Sequence, residues 1–274
     1  MTIQQTILDQ MTTSFFPVEA RDVMVGNRVS TGHKGIIRVD TGDVLAIHGD
    51  GYNLTSNESI MTQFVDALAN SGLNLEGARV INELSHGGAR MFVKITLPMH
   101  KVIIKSGDEV DLQISVVNSY DGWSALRSIF GGFRLLCSNG MVVGTKMWEG
   151  YGRHTANLDI SATAHRLAGV AESYDEVGKV WTQWANARIL EGQFEEIVEQ
   201  ATPIEKARES LIHQFEAEKI ELGSTVWAAY NALTHWSTHT ESNRKEASLT
   251  AASGKFQREE QVRKVLPQLY AIAA

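Results

Sequence analysis

The sequence predicts an α+β protein, antiparallel and β-rich in its first half and helical in its second. Two observations carry this. Apolar residues alternate with polar ones along several runs between residues 35 and 116, the signature of half-buried strands. After about Leu158 the apolar spacing lengthens to threes and fours, as on a helix face. The predicted organisation is a leading segment over 1–30, a β-rich core with one helix over 31–150, and a helical region over 151–274, packed on the core or extending from it.

Residues 1–30 show little periodicity. Strand signals begin at Gly35-Ile36-Ile37-Arg38-Val39, and the turn composition Asp40-Thr41-Gly42-Asp43 leads into Val44-Leu45-Ala46-Ile47-His48, which together read as a hairpin. Ser56 or Asn57 caps a helix over about Glu58–Asn70, with Ile60, Phe64, Ala67 and Leu68 on one side and Gly72 past its end. Ala78–Ser85 and Ala89–Leu97 flank His86-Gly87-Gly88, a tight-turn composition. In the second of these strands Ala89, Met91, Val93, Ile95 and Leu97 point one way, and Arg90, Phe92, Lys94 and Thr96 the other. Glu109–Val116 alternates more strictly still, which predicts a sheet with one face toward solvent. Trp123–Phe130 and Phe133–Cys137 read as two further strands separated by Gly131-Gly132.

In the second half, Val170, Tyr174, Val177, Trp181 and Trp184 mark one helix, and Leu190, Phe194, Ile197 and Val198 continue the pattern. Thr202-Pro203-Ile204-Glu205 reads as a helix start, followed by Ala207, Leu211, Phe215 and Leu222. Gly223-Ser224 separates it from a helix through Val226, Tyr230 and Leu233. A last helix is expected over about Arg258–Ala271, shortened or kinked at Pro267.

Composition narrows the function classes. Hydrophobic residues make up 43% and charged residues 21%, enough for a sizeable core. No apolar run reaches the length that spans a bilayer, and Met1–Thr6 lacks the basic start and apolar stretch of a signal peptide. One cysteine, Cys137, excludes an internal disulfide and a cysteine-rich zinc site. These features predict a reducing cytoplasm, with no membrane partner. The net charge of −7 is concentrated in residues 149–222, where 14 acidic side chains face 7 basic ones. The first half is close to neutral, so a local cationic surface remains compatible with the negative total.

No catalytic signature is present: there is no Gly-x-Ser-x-Gly elbow, no His-Glu-x-x-His and no Gly-Lys-Ser/Thr phosphate loop. Asp121 with Asn118 and Ser119 would serve to bind a metal or phosphate. The same residues, followed by Gly122, also make an ordinary hydrogen-bonded turn, and that reading is favoured. Asp108, Glu109 and Asp111 are close in sequence, but alternation sends Glu109 and Asp111 to the solvent face of a strand. Cys137 as a nucleophile would need a base such as His86, His100 or His154; a packed small hydrophobe is the simpler role. The sequence therefore predicts no enzyme, no cofactor and no metal. The set Arg90, Phe92, Lys94, Lys101, Lys105, Arg127 and Arg134 predicts phosphate contacts beside a stacking ring, with Trp123 as a second ring. The competing reading is a solvated sheet face. In the helical half Glu195, Glu196, Glu199, Glu216, Glu218 and Glu221 form an acidic surface, either plainly solvated or suited to a protein partner.

Two motifs carry a resemblance. Asn118-Ser119-Tyr120-Asp121-Gly122 is followed by Arg134-Leu135-Leu136-Cys137-Ser138-Asn139, and a late segment reads Thr225-Val226-Trp227-Ala228-Ala229-Tyr230-Asn231-Ala232-Leu233-Thr234-His235-Trp236. The pairing resembles the phage/plasmid-like proteins grouped as domain of unknown function 932, and the late segment is similar to that family's late helix. Gly140 stands where the family more usually has Thr. The order of a β-rich core followed by helices also resembles, at the level of fold, the phage single-strand annealing recombinases RecT, Erf and Red-beta. The resemblance implies a phage- or plasmid-encoded accessory protein of DNA metabolism in a bacterial host cell, one that binds or anneals single-stranded DNA in recombination and forms homo-oligomers. The alternative is an interaction factor that modulates a host protein through the acidic helices.

Overall fold

A computed structural model describes residues 1–134, 139–142, 149–152, 154, 160, 170–240 and 247–274. It shows a mixed α+β protein with two antiparallel sheets and, among the described residues, seven α-helices.

The first sheet holds β1 (Val18–Val25), β2 (Arg28–Arg38) and β3 (Val44–Gly49) in that order. The expected hairpin is its second half: β3 pairs with His33–Ile37 of β2, and the turn closes through Gly42 N–H on the Arg38 carbonyl at 2.8 Å. The first half was not legible, because β1 and the outer part of β2 form an arm whose Met24, Val25 and Val29 stay exposed. A strand without a buried face has no reason to alternate.

The second sheet runs β4 (Arg79–Ser85), β5 (Arg90–Lys105), β6 (Asp108–Ser119), β7 (Leu126–Arg134), β8 (Asn139–Val142), with β9 (Glu149–Gly152) also paired to β7. Its first face is the expected one: Met91, Val93, Ile95, Leu97, Val110, Leu112, Ile114 and Val116 are all buried. Against it pack α2 (Asn57–Ala69) and α3 (Val170–Asn186). Ser56 caps α2 by accepting the Ser59 amide at 3.1 Å, and Ile60, Phe64 and Leu68 face inward.

Two expectations about this sheet are corrected. Gly131-Gly132 does not separate two strands: β7 runs straight through both glycines. A Cβ on Gly132 would stand 2.4 Å from Val110 Cγ1 and 2.7 Å from the Trp181 ring, so glycine is there for close approach and not for a turn. Nor is the second face left to solvent. Phe92, Asp111, Gln113, Val117 and Ile129 on that side are buried, and Asp111 pairs with Arg79 at 2.8 Å instead of facing water.

The leading segment is ordered too. α1 (Ile3–Asp9) and a 3₁₀ turn at Thr12–Ser14 bury Ile7 and Met11 and close the outer edge of β4. Gln10 Oε1 accepts the Val80 amide at 3.1 Å, Asn82 Nδ2 donates to the Met11 carbonyl, and Ser14 Oγ donates to Asn82 Oδ1. An unpaired strand edge is thereby satisfied from within the chain.

The helical half continues with α4 (Glu191–Ala201), α5 (Glu205–Leu222), α6 (Val226–His239) and α7 (Ala247–Ala273). Thr202 ends α4 rather than starting α5, which begins three residues later at Glu205. The last helix is far longer than expected and contains Pro267 within it. α6 is buried nearly all round, and its Trp227 and Tyr230 pack on Trp181 and Trp184 of α3. One buried apolar cluster runs from Ile7 to Leu269, drawing on both sheet and helices. No helix among the described residues is long and apolar enough to cross a membrane.

Candidate nucleic-acid interface

The cationic residues singled out from sequence fall into three places. Arg90, Lys94 and Arg127 share the second face of the sheet with Phe92, as alternation predicts. Trp123, in the turn before β7, lies edge-on to Phe92 at 5.8 Å. The wall is not open, however, because the front of α7 lies across it. Lys94 pairs with Glu259, Arg127 with Glu260 at 3.5 Å, and Phe256 enters between Phe92 and Trp123 at 5.9 and 5.4 Å. Arg90 is held by Asp121 at 2.6 Å, with its guanidinium 4.7 Å from the Trp123 ring. The solvated face and the free cationic ribbon are therefore both corrected to a covered wall.

Lys101 and Lys105 lie further along β5, opposite Asp111 and Asp108 where Lys94 is opposite Ser115, so about 13 and 23 Å from Lys94 at strand rise. Lys101 pairs with Glu109 at 2.7 Å, and Lys105 donates to the Glu221 carbonyl at 3.0 Å. They do not join the wall.

Arg134 is somewhere else altogether. It is 1% exposed, on the core side of the sheet, with its guanidinium forked onto Asp108 at 2.5 and 3.0 Å. Its Nη1 also donates to Asn231 Oδ1 at 3.1 Å and stands 3.6 Å from Glu218, while Trp227 Nε1 donates to Asp108 at 2.9 Å. Burial raises the Glu218 carboxyl above its ordinary value, opposed by Gln214 and Arg134. The two motifs read separately in the sequence thus meet, Arg134 from one and Trp227 and Asn231 from the other. Such a sealed network fixes how α6 docks on the sheet, and it leaves no route for a nucleic acid.

The turn after β6 is the hydrogen-bonded one favoured from sequence. Asn118 Nδ2 donates to Asn57 Oδ1 at 2.8 Å, Ser119 Oγ is bonded at both Ser124 backbone groups, and Tyr120 Oη accepts the Asn57 amide at 2.8 Å. Asp121 uses one oxygen on the Trp123 amide and the other on Arg90. Gly122 takes φ +72°, the left-handed region that glycine enters without strain.

Among the described residues no three His, Cys, Asp or Glu side chains stand together to hold a metal ion. Cys137 lies outside the described residues. Of the histidines considered as its base, His86 Nδ1 is within 3.1 Å of Ser85 Oγ and His100 Nε2 accepts the Asn74 amide. His154 is buried, and its ring nitrogens have no hydrogen-bond partner among the described residues. Asn139 opens β8 opposite Arg134. The acidic surface is largely open: Glu195, Glu196, Glu199, Glu216 and Glu221 are exposed, with Lys219 on Glu216 at 2.7 Å, whereas Glu218 is turned toward Arg134.

Sequence reasoning missed Glu259, Glu260 and Phe256, the residues that complete the wall. The signal was faint but present, since Phe256, Glu259 and Glu260 share one helical turn in an otherwise polar stretch.

Fold and site define a mixed α+β protein whose sheet carries a cationic, aromatic wall under its own last helix. The chain belongs to the family described as Domain of unknown function (DUF932), whose model matches residues 44–262, from the first residue of β3 into α7. No curated protein and no solved structure matches it.

Proposed function

We propose that the protein is a phage- or plasmid-encoded, non-enzymatic accessory factor of DNA metabolism. It binds single-stranded DNA in the cytoplasm of a bacterial host, as self-associating copies, in the manner of the annealing recombinases its order of elements resembles. One observation supports the reading above the others. Arg90, Lys94 and Arg127 lie on one sheet face beside Phe92 and Trp123, the mixture of point charges and stacking rings that single strands require. Phosphate contacts make affinity salt-dependent, with a slope of roughly −0.7 per phosphate for single strands. Three contacts give a slope near −2 in log affinity against log salt, and Lys94→Gln with Arg127→Gln flattens it to near −0.7. Filter retention of a labelled oligothymidylate across a salt series measures this. No retention, or retention indifferent to salt, overturns the reading.

A second reading draws on the open acidic helices. Glu195, Glu196 and Glu199 line the exposed side of α4, unlike the covered cations of the sheet. On this reading the helical half engages a basic host protein. A single stoichiometric protein recovered from host lysate by the wild type, and lost with Glu195→Lys and Glu196→Lys, is the expected result. Recovery unaffected by the charge reversal removes it.

A further inference from the structure

The front of α7 meets the sheet differently from its rear. Val262, Val265, Leu266 and Leu269 belong to the main core, and Tyr270 packs edge-on against Trp184 at 5.0 Å. Ahead of them, Ala252 and Phe256 belong to a separate small cluster with Phe92, Val117 and Ile129, against which Trp123 packs. The other contacts of the front are polar. They include Ser253 on Ser85 and Arg90, Lys255 on Glu83, Glu259 on Lys94, Glu260 on Arg127, and Arg258 on the Ser237 and Thr240 carbonyls at the end of α6. A cavity of about 10 Å³, room for roughly one water, lies in this seam between Phe92, Lys94, Val117, Phe256 and Glu259. Half of one helix is therefore anchored by apolar burial. The other half is held mostly by polar contacts, two of which, Glu259 on Lys94 and Glu260 on Arg127, are ion pairs whose carboxylate an equivalent anion can replace.

The groups that α7 brings to the wall match what a single strand would bring. Two carboxylates occupy the cations at Lys94 and Arg127. One flat ring, Phe256, stands among Phe92, Trp123 and the Arg127 guanidinium, which is 5.2 Å from its centroid. We propose that the front of α7 is an intramolecular stand-in for single-stranded DNA, with Glu259 and Glu260 in place of phosphates and Phe256 in place of a base, and that the strand binds by displacing it. This inference rests on the single-stranded DNA reading and adds its regulation: the resting protein is closed, and whatever lifts α7 opens it. Competition by like chemistry makes the exchange feasible at Lys94, Arg127 and the ring cluster, where each pair or ring packing broken on opening is replaced by one of the same kind; the Lys255–Glu83 pair has the opposite polarity and is simply lost.

A disulfide lock tests it. The Ser85 and Ser253 hydroxyls are 2.8 Å apart across the seam, so Ser85→Cys with Ser253→Cys, in a Cys137→Ser background, places two thiols where they bond on oxidation. Binding of a fluorescein-labelled oligothymidylate is followed by anisotropy in the oxidised and reduced protein. The expected result is binding when reduced and at least a tenfold loss when oxidised. Equal binding in both states overturns the displacement while leaving the DNA reading intact. If the reduced protein and the wild type both fail to bind, the DNA reading falls and the inference with it. Opening from the other direction gives an independent measure: Glu259→Gln with Glu260→Gln tightens binding about tenfold, the equivalent of two weakened ion pairs. The control Glu205→Gln with Glu209→Gln, the same charge change on exposed α5 positions, leaves affinity within about twofold. Tightening of equal size in the control also overturns the inference.

Discussion

Arg134→Ala lowers the stability of the folded protein by about 3–5 kcal/mol, the range found when one partner of a buried ion pair is removed. The guanidinium is 1% exposed and answers acceptors on three residues: both oxygens of Asp108, Asn231 Oδ1 and, more distantly, Glu218. Truncation leaves the Asp108 carboxylate 1% exposed with Trp227 Nε1 still donating to it, but with its counter-charge gone. Glu218, already raised by burial, loses one of the interactions that lower it. Arg134→Lys keeps the charge but not the fork, so it recovers only part of the loss. Replacing both partners, Asp108→Leu with Arg134→Met, costs less than the sum of the two single changes, because Asp108 is no longer left as a buried unpaired charge, although Glu218 still loses its cation. Urea unfolding monitored by tryptophan fluorescence reports all five. A loss below about 1 kcal/mol for Arg134→Ala would show that the network is wetter and looser than its geometry.

Gly178→Ala is the second large effect, and its sign is the informative part. On an exposed helix surface this change stabilises by roughly 1 kcal/mol, through backbone entropy and propensity. Here the new Cβ would stand 2.4 and 2.7 Å from the two Val102 methyl carbons and 3.1 Å from its Cβ. Val102 is β-branched and sits in β5, so its side-chain rotation is restricted and gives little relief. Overpacking of this kind costs about 1–3 kcal/mol and outweighs the propensity gain. The expected result is net destabilisation, with Val102→Ala in the same chain cancelling much of it in a double-mutant cycle. A stabilised Gly178→Ala protein would mean that α3 stands further off the sheet.

How much of this was legible in the sequence depended on whether a segment gathers most of its apolar side chains on one side. β5 and β6 do so on the core face, and α2 and α3 likewise, so their periods show the structure directly. The arm of β1 and β2 has no buried face at its tip, and nothing in Val18–Arg28 repeats with period two. The front of α7 is invisible for another reason. Its partners on the sheet are met through Ser253, Lys255, Glu259 and Glu260, and a helix docked by charges looks like a solvated linker. That one omission changed the candidate site, since the alternation of Arg90, Phe92 and Lys94 is real but does not state what lies above them. Likewise Arg134 differs from Arg127 only by an odd number of residues along β7. That parity sends one guanidinium into the core and the other to the opposite face.

The closure of β4 sets a schedule for biosynthesis. Its rim is sealed by Gln10 and Ser14, already translated, but its outer face waits for Ser253 and Lys255, about 170 codons downstream of Glu83 and Ser85. At about 5–20 residues per second that interval is roughly 10–30 s. Throughout it the nascent chain carries Phe92, Val117 and Ile129 without Ala252 and Phe256 to cover them, a half-finished sheet on which an apolar patch stays open to chaperones.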